Sequence, residues 1–141
     1  MRKLLVATHG RFAEGIGETL RFILGDPQPL EILNAYTVPD FDMARVAEEY
    51  VSNLGEEEEL IVAADVFGGS VANAFTEYVT GGKVHVVTGV NLPLLIVLVS
   101  SLDSEDTTEE MIQSAIEDAK EGIVYANRII NETMQEEEED F

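Results

Sequence analysis

The chain has 141 residues, 45% of them hydrophobic, and its 28 acidic residues against 8 basic ones give a formal net charge of -20. That length and apolar content describe one folded domain rather than an acidic disordered chain. The acidity argues against a nucleic-acid or anionic-membrane surface, since both need clustered Lys and Arg, and the absence of cysteine excludes disulfides, thiolate metal sites and a cysteine nucleophile.

The elements read in chain order. The apolar run Leu4 to Ala7 predicts a strand buried on both faces, closed by Thr8-His9-Gly10 and too short to be the core of a signal peptide. Phe12, Ile16, Leu20, Ile23 and Leu24 then recur at helical spacing up to Gly25-Asp26-Pro27. Leu30 to Val38 carries the second strand signal. Met43 to Leu54 predicts a second amphipathic helix, capped by Asp40 or Asp42 and ended by Gly55. Leu60 to Val66 is the clearest buried strand, and it runs through Phe67-Gly68-Gly69-Ser70 into a helix from about Val71 to Val79. Lys83 to Thr88 predicts a fourth strand, and Gly89-Val90-Asn91 leads into a helix with Pro93 in its first turn, where proline is tolerated. Asp106 to Glu110 reads as a helix start, with acids near the positive end of the dipole and the helix running to about Lys120. After Gly122, Ile123-Val124-Tyr125 predicts a short final strand, with a helix continuing to Glu132 as the competing reading. The five acids Glu136 to Asp140 read as a solvated tail, so the expected organisation is one domain over residues 1–130 and an acidic tail over 131–141. No apolar stretch nears the roughly 20 residues of a membrane helix, and a soluble cytoplasmic domain is expected.

Alternating strands and helices predict an α/β fold: a doubly wound, mainly parallel four-stranded sheet with helices on both faces, for which the order 2-1-3-4 is taken. Ligands of such sheets sit at the carboxyl ends of the strands where the strand order reverses. Here that point lies between the first and third strands, whose carboxyl ends carry His9 and Asp65. An aspartate on one imidazole nitrogen fixes the tautomer, supports positive charge on the ring and leaves the other nitrogen as an aimed nucleophile. Such an arrangement suits covalent phosphohistidine chemistry. Gly68, Gly69 and Ser70 would offer N–H groups and a hydroxyl to a phosphoryl group, and Gly10 would permit close approach from the other side. A lone histidine at a strand end is more often structural, but one fold brings all three segments to one crevice. His85, in mid-strand, reads as structural.

Other chemistries lack their residues. There is no Gly-x-x-x-x-Gly-Lys-Ser/Thr loop, no dinucleotide fingerprint after the first strand and no Gly-x-Ser-x-Gly elbow. One histidine at the site, without cysteine, argues against a transition metal, and no cofactor is expected. Thr8-His9-Gly10-Arg11 is close to the Arg-His-Gly signature of histidine-type phosphatases and mutases, but Thr8 replaces the arginine that would clamp the phosphate.

Three motifs together resemble the mannose-family enzyme IIA domain of the bacterial phosphoenolpyruvate-dependent sugar phosphotransferase system. They are Thr8-His9-Gly10 closing the first strand, Asp65-Val66-Phe67-Gly68-Gly69-Ser70 with Asn73-Ala74 after the third, and Gly89-Val90-Asn91-Leu92-Pro93 after the fourth. The likeness runs from Lys3 to about Tyr125. It implies a relay in which the histidine-containing phosphocarrier protein phosphorylates His9, at the outward-facing nitrogen Nε2, and His9 passes the group to a histidine of a separate IIB partner. The membrane IIC and IID components would be met only indirectly, and the sugar never. The resemblance also implies that Asp65 orients His9, that Gly10, Gly68, Gly69 and Ser70 hold the phosphoryl group, and that Phe67, Arg11 and Asn91 face the partner. It further implies a homodimer in which a short C-terminal antiparallel strand, Gly122 to Ala126, pairs with the other subunit's sheet. The chain departs from the pattern at Val71, where many relatives have Pro, and at Phe67, where some carry Trp. The alternatives are the phosphotransferase subunit of a dihydroxyacetone kinase system, and a non-catalytic regulator controlled by phosphorylation on the same fold.

Overall fold

The computed structural model describes residues 1–139. Its elements are β1 (Arg2–His9), α1 (Phe12–Leu24), β2 (Glu31–Ala35), α2 (Met43–Ser52), β3 (Glu59–Ala64), α3 (Ser70–Thr76), a single 3-10 turn (Val79–Gly81), β4 (Val84–Val87), α4 (Leu92–Ser101), α5 (Thr108–Glu121) and α6 (Ala126–Glu139). The four strands form one sheet in the expected order β2-β1-β3-β4, and every pairing is parallel.

Side-chain alternation along the strands divides the core in two. Leu4 and Val6 of β1, with Ile61 and Ala63 of β3, face one side, where Leu20, Leu94, Leu95, Leu98, Met111 and Ala115 of α1, α4 and α5 cover them. Leu5 and Ala7, with Leu60 and Val62, face the other, where Met43, Ala47, Val71 and Phe75 of α2 and α3 close over the sheet. Burial on both faces is why β1 and β3 read as continuous apolar runs. The helix ends follow side-chain chemistry. Asp42, rather than Asp40, caps α2 by accepting from the Arg45 N–H at 3.2 Å. Thr107 and Glu110 form a reciprocal capping box on α5, and Asn91 caps α4 by accepting from the Leu94 N–H at 2.9 Å.

One expectation is corrected. The second strand stops at Ala35 instead of running to Val38, because Tyr36 turns out of the sheet with φ +63°. The C-terminal antiparallel strand, expected to pair with another subunit's sheet, is not among the strands of the single chain, whose described residues form a sheet of four parallel strands. The Ile123 N–H bonds back to Lys120 O at 3.2 Å, and Tyr125 O accepts from the Arg128 N–H at 3.1 Å. The segment between these bonds therefore joins two helices, and its β-branched and aromatic residues lie exposed. The expected acidic tail is also helical as far as Glu139, with α6 exposed along its length and crossing residue 130 without a break; Asp140 lies outside the described residues.

At the amino ends of the strands a polar network ties the sheet to α5. Arg2 Nη1 donates to Leu102 O and Ser104 O at 3.1 and 2.9 Å, and its Nε to Thr108 Oγ1 at 2.9 Å. Thr108 in turn donates to Glu59 Oε2 at 2.6 Å, while His85 Nε2 lies 3.0 Å from Glu59 Oε1. His85, expected to be structural, is held in this network at the amino ends of the strands. Partial burial pushes the Glu59 carboxyl up, but the bonds from Thr108 and His85 and the charges of His85 and Arg2 outweigh it and hold the group below its ordinary value. A depressed carboxyl contributes stability that is present above its unfolded value and lost as pH falls through the lower folded one. Urea melts of wild type and Glu59→Gln should therefore differ most near neutrality and converge between about pH 5 and pH 3. A difference that persists unchanged at low pH would contradict this assignment.

Candidate functional site

The carboxyl ends of β1, β2 and β3 meet at the switch point between β1 and β3. His9 is the last residue of β1 and pairs with Ala35 of β2, while Asp65 directly follows Ala64, which pairs with Ala7. A φ of +59° at Gly10 turns the chain sharply from strand to helix, and the Gly10 N–H bonds to Ala35 O at 2.9 Å.

Asp65 binds His9 twice through one oxygen: Oδ2 accepts the His9 main-chain N–H at 2.9 Å and lies 2.8 Å from the ring Nδ1. Its other oxygen accepts the Val66 N–H at 2.9 Å. Desolvation raises the Asp65 carboxyl, but the hydrogen bonds from the His9 N–H, the imidazole and the Val66 N–H, with the His9 charge, exceed it and hold the group below the usual carboxylate value. An ionised acceptor places the imidazole proton on Nδ1. Nε2 then carries the lone pair, on a ring whose side chain is 44% exposed beside an Asp65 that is only 19% exposed.

On the other side of the ring Ser70 Oγ lies 3.3 Å from Nε2, and the Tyr36 hydroxyl lies 2.8 Å from Ser70 Oγ. The Tyr36 ring also stacks on His9, with centroids 5.7 Å apart and planes 27° from parallel, and Phe41 meets Tyr36 edge-on at 5.1 Å. Tyr36 was not among the expected site residues. It directly follows Ala35, the last residue of β2, which lies beside β1, so the register of His9 on Ala35 puts the next residue at the crevice. Its left-handed backbone costs about 1–2 kcal/mol for a residue with a side chain, and the structure holds it there.

The glycine loop is shaped around the ring. A Cβ on Gly69 would lie 3.1 Å from Val66 Cγ2 and 3.4 Å from His9 Cε1, so the loop passes too close to tolerate a side chain freely. The Gly69 N–H bonds to Val66 O at 3.2 Å, and the Asn73 amide donates to Gly68 O at 3.0 Å, pinning the turn to α3. With the Gly10 and Gly69 N–H groups already engaged, Ser70 is the residue of the expected phosphoryl-binding set that reaches Nε2. Phe67 is 91% exposed at the rim. Arg11 is exposed as well and lies 3.5 Å from Glu14, whereas Asn91 has its amide oxygen engaged as the α4 cap. Among the described residues no three His, Asp or Glu side chains converge as metal ligands would. The site is an open surface carrying an aimed imidazole, a geometry suited to a reacting group presented by another macromolecule.

The sequence that builds this parallel α/β domain matches a known family model. The family model described as "PTS system fructose IIA component" fits residues 3–124, and the chain belongs to that family, the IIA components of the sugar phosphotransferase system. Among solved structures it is similar to a Klebsiella pneumoniae chain described as a candidate phosphoenolpyruvate-dependent sugar phosphotransferase system permease, at 38% identity and TM-score 0.85 over 92% of this chain and 93% of that one. It is also similar to a IIA protein associated with the fucose utilization operon of Streptococcus pneumoniae, at 29% identity and TM-score 0.73 over 92% and 96% of the two chains. The mannose-specific EIIAB component of Escherichia coli K12 is 26% identical over 124 residues, which are 85% of this chain but 38% of that protein. This chain thus spans well under half the length of the curated mannose relatives. The relatives carry sugar phosphotransferase names, which favours that branch over the dihydroxyacetone cousin, and those names differ in the sugar. No described helix is long and apolar enough to cross a membrane.

Proposed function

We propose that this chain is a cytoplasmic phosphoryl relay of the mannose type, accepting a phosphoryl group on His9 from the histidine-containing phosphocarrier protein and passing it to a histidine of a IIB partner. The observation that carries this reading is the 2.8 Å contact between His9 Nδ1 and Asp65, which leaves Nε2 bare of protons and facing the surface. In the transfer the carrier's N–P bond breaks as the Nε2–P bond forms. The ring keeps its Nδ1 proton and becomes an imidazolium, whose charge the Asp65 carboxylate balances. In this reading the Ser70 hydroxyl donates to the phosphoryl oxygens, with the Gly68 N–H of the same loop as a further donor, while Gly10 and Gly69 supply room. No cofactor takes part, because the phosphoryl group arrives on a protein. Phe67 and Arg11 form the exposed rim against which the carrier docks, and the net charge of -20 favours a basic carrier surface.

Two copies associate through the C-terminal segment in the same reading. What supports this is an outer edge of β4 without a strand neighbour among the described residues, together with exposed Ile123, Val124 and Tyr125.

The test is incubation with phosphoenolpyruvate, enzyme I and the phosphocarrier protein. The chain should acquire an acid-labile, base-stable phosphoryl group, and His9→Ala should remove it completely while leaving the melting temperature within a few degrees. Label surviving on the His9→Ala protein would overturn the assignment.

A further inference from the structure

We propose that Tyr36 is a positioning residue for phosphoryl transfer at His9, acting through the Ser70 hydroxyl. The inference rests on the reading of His9 as the phosphoryl acceptor and follows from where the protons must lie. With the Nδ1 proton directed at Asp65, Nε2 of the neutral ring can only accept, so Ser70 Oγ, 3.3 Å away, donates to it. Ser70 has one proton, and once it points at Nε2 the contact with Tyr36 at 2.8 Å must be made by the tyrosine proton. The chain of bonds therefore has one direction: Tyr36 O–H to Ser70 Oγ, Ser70 O–H to His9 Nε2, and His9 Nδ1–H to Asp65.

Tyr36 makes this direction binding on Ser70. While the phenol donates to Oγ, the serine proton is kept on the side of the reacting nitrogen. When Nε2 takes the phosphoryl group its lone pair is lost, and Ser70 swings its proton to a phosphoryl oxygen without releasing Tyr36. Neither hydroxyl gains or loses a proton in the cycle; each changes only its acceptor or keeps it. The stacking of the phenol ring on the imidazole, with Phe41 edge-on behind it, fixes the hydroxyl's origin. The left-handed backbone at a residue with a large side chain accounts for how the ring reaches that position from the end of β2.

Tyr36→Phe retains the ring, the stacking and the backbone and removes only the hydroxyl, so the variant should melt as wild type does. In single-turnover transfer from the phosphorylated carrier, the maximal rate should fall about fivefold, the scale of one neutral hydrogen bond, with unchanged half-saturation by the carrier. In a Ser70→Ala background the same substitution should have no effect on the rate. In the unphosphorylated protein, at a pH where His9 is neutral, the ¹⁵N signal of Nε2 should move toward that of a free imine nitrogen. A wild-type rate with an unshifted Nε2 signal would overturn the role of Tyr36 while leaving the relay intact. A slower rate with an unshifted signal, or one expressed only in half-saturation, would also overturn it, placing Tyr36 in carrier docking instead. Failure of the wild-type chain to take the phosphoryl group would overturn the relay reading and this role with it.

Discussion

Asp65→Asn is expected to slow phosphoryl transfer to His9 by roughly three to four orders of magnitude, the scale seen when a catalytic histidine is held in the wrong tautomer. The carboxylate receives three N–H groups: two from His9 on Oδ2 and one from Val66 on Oδ1. An amide offers one acceptor oxygen and brings two protons of its own. If its oxygen faces His9, its NH₂ opposes the Val66 N–H; if its NH₂ faces His9, that group opposes the His9 N–H, and Nδ1 must accept. In the second arrangement the imidazole proton moves to Nε2 and the nucleophilic lone pair disappears. The first leaves a donor unpaired at a cost of about 1–3 kcal/mol and withdraws the charge that balances the phosphorylated ring. Rapid-quench measurement of transfer from the phosphorylated carrier decides the matter, and an unimpaired Asn variant would remove Asp65 from the mechanism. The same substitution carries a pH signature. Because the Asp65 carboxyl is held below its ordinary value, the stability it contributes is present above about pH 4 and is lost as pH falls through the lower folded value, so the stability gap between wild type and variant should close there.

The second large effect belongs to Phe75. Among the described residues it is the largest fully buried side chain, and it sits in the seven-residue helix α3 whose first residue is Ser70. Phe75 packs among Leu5, Leu60, Val62 and Val71, with the Tyr50 ring 6.4 Å away. A helix of two turns has little stability of its own and is held by tertiary packing. Phe75→Ala should cost about 3–5 kcal/mol, a large share of the 5–15 kcal/mol of an ordinary domain, and lower the melting temperature by about 10–20 °C. Calorimetry and urea melts measure this directly. A loss under about 1 kcal/mol would mean that α3 is anchored some other way.

Much of this could be read from the chain because it depends on local patterns. Leu4 to Ala7 and Leu60 to Ala64 are apolar without interruption because both faces of a parallel sheet are covered, and the alternation of elements indicates the parallel sheet in which the order 2-1-3-4 is found. His9 and Asp65 then met through topology alone. What escaped depends on partners distant in sequence. Tyr36 looked like one more strand residue, since nothing local announces its left-handed backbone or its reach to Ser70. The network of Arg2, Glu59, His85 and Thr108 joins four separate elements through side chains whose types alone suggest no such meeting. Ile123-Val124-Tyr125 has the composition of a strand, but strand character also requires a neighbouring edge, and the N–H of Ile123 closes α5 instead.

A single carboxylate oxygen, Asp65 Oδ2, holds the main-chain N–H and the ring Nδ1 of His9. Main chain and side chain of one residue, tied to the same atom, form a closed loop, and rotation at χ1 or χ2 would have to break the bond from Nδ1. The imidazole is therefore a fixed post rather than a swinging arm. In a relay built on such a post, the travel between donor and acceptor is made by whole proteins arriving and departing in turn. Turnover would then be governed by how quickly each partner vacates the same small surface for the next.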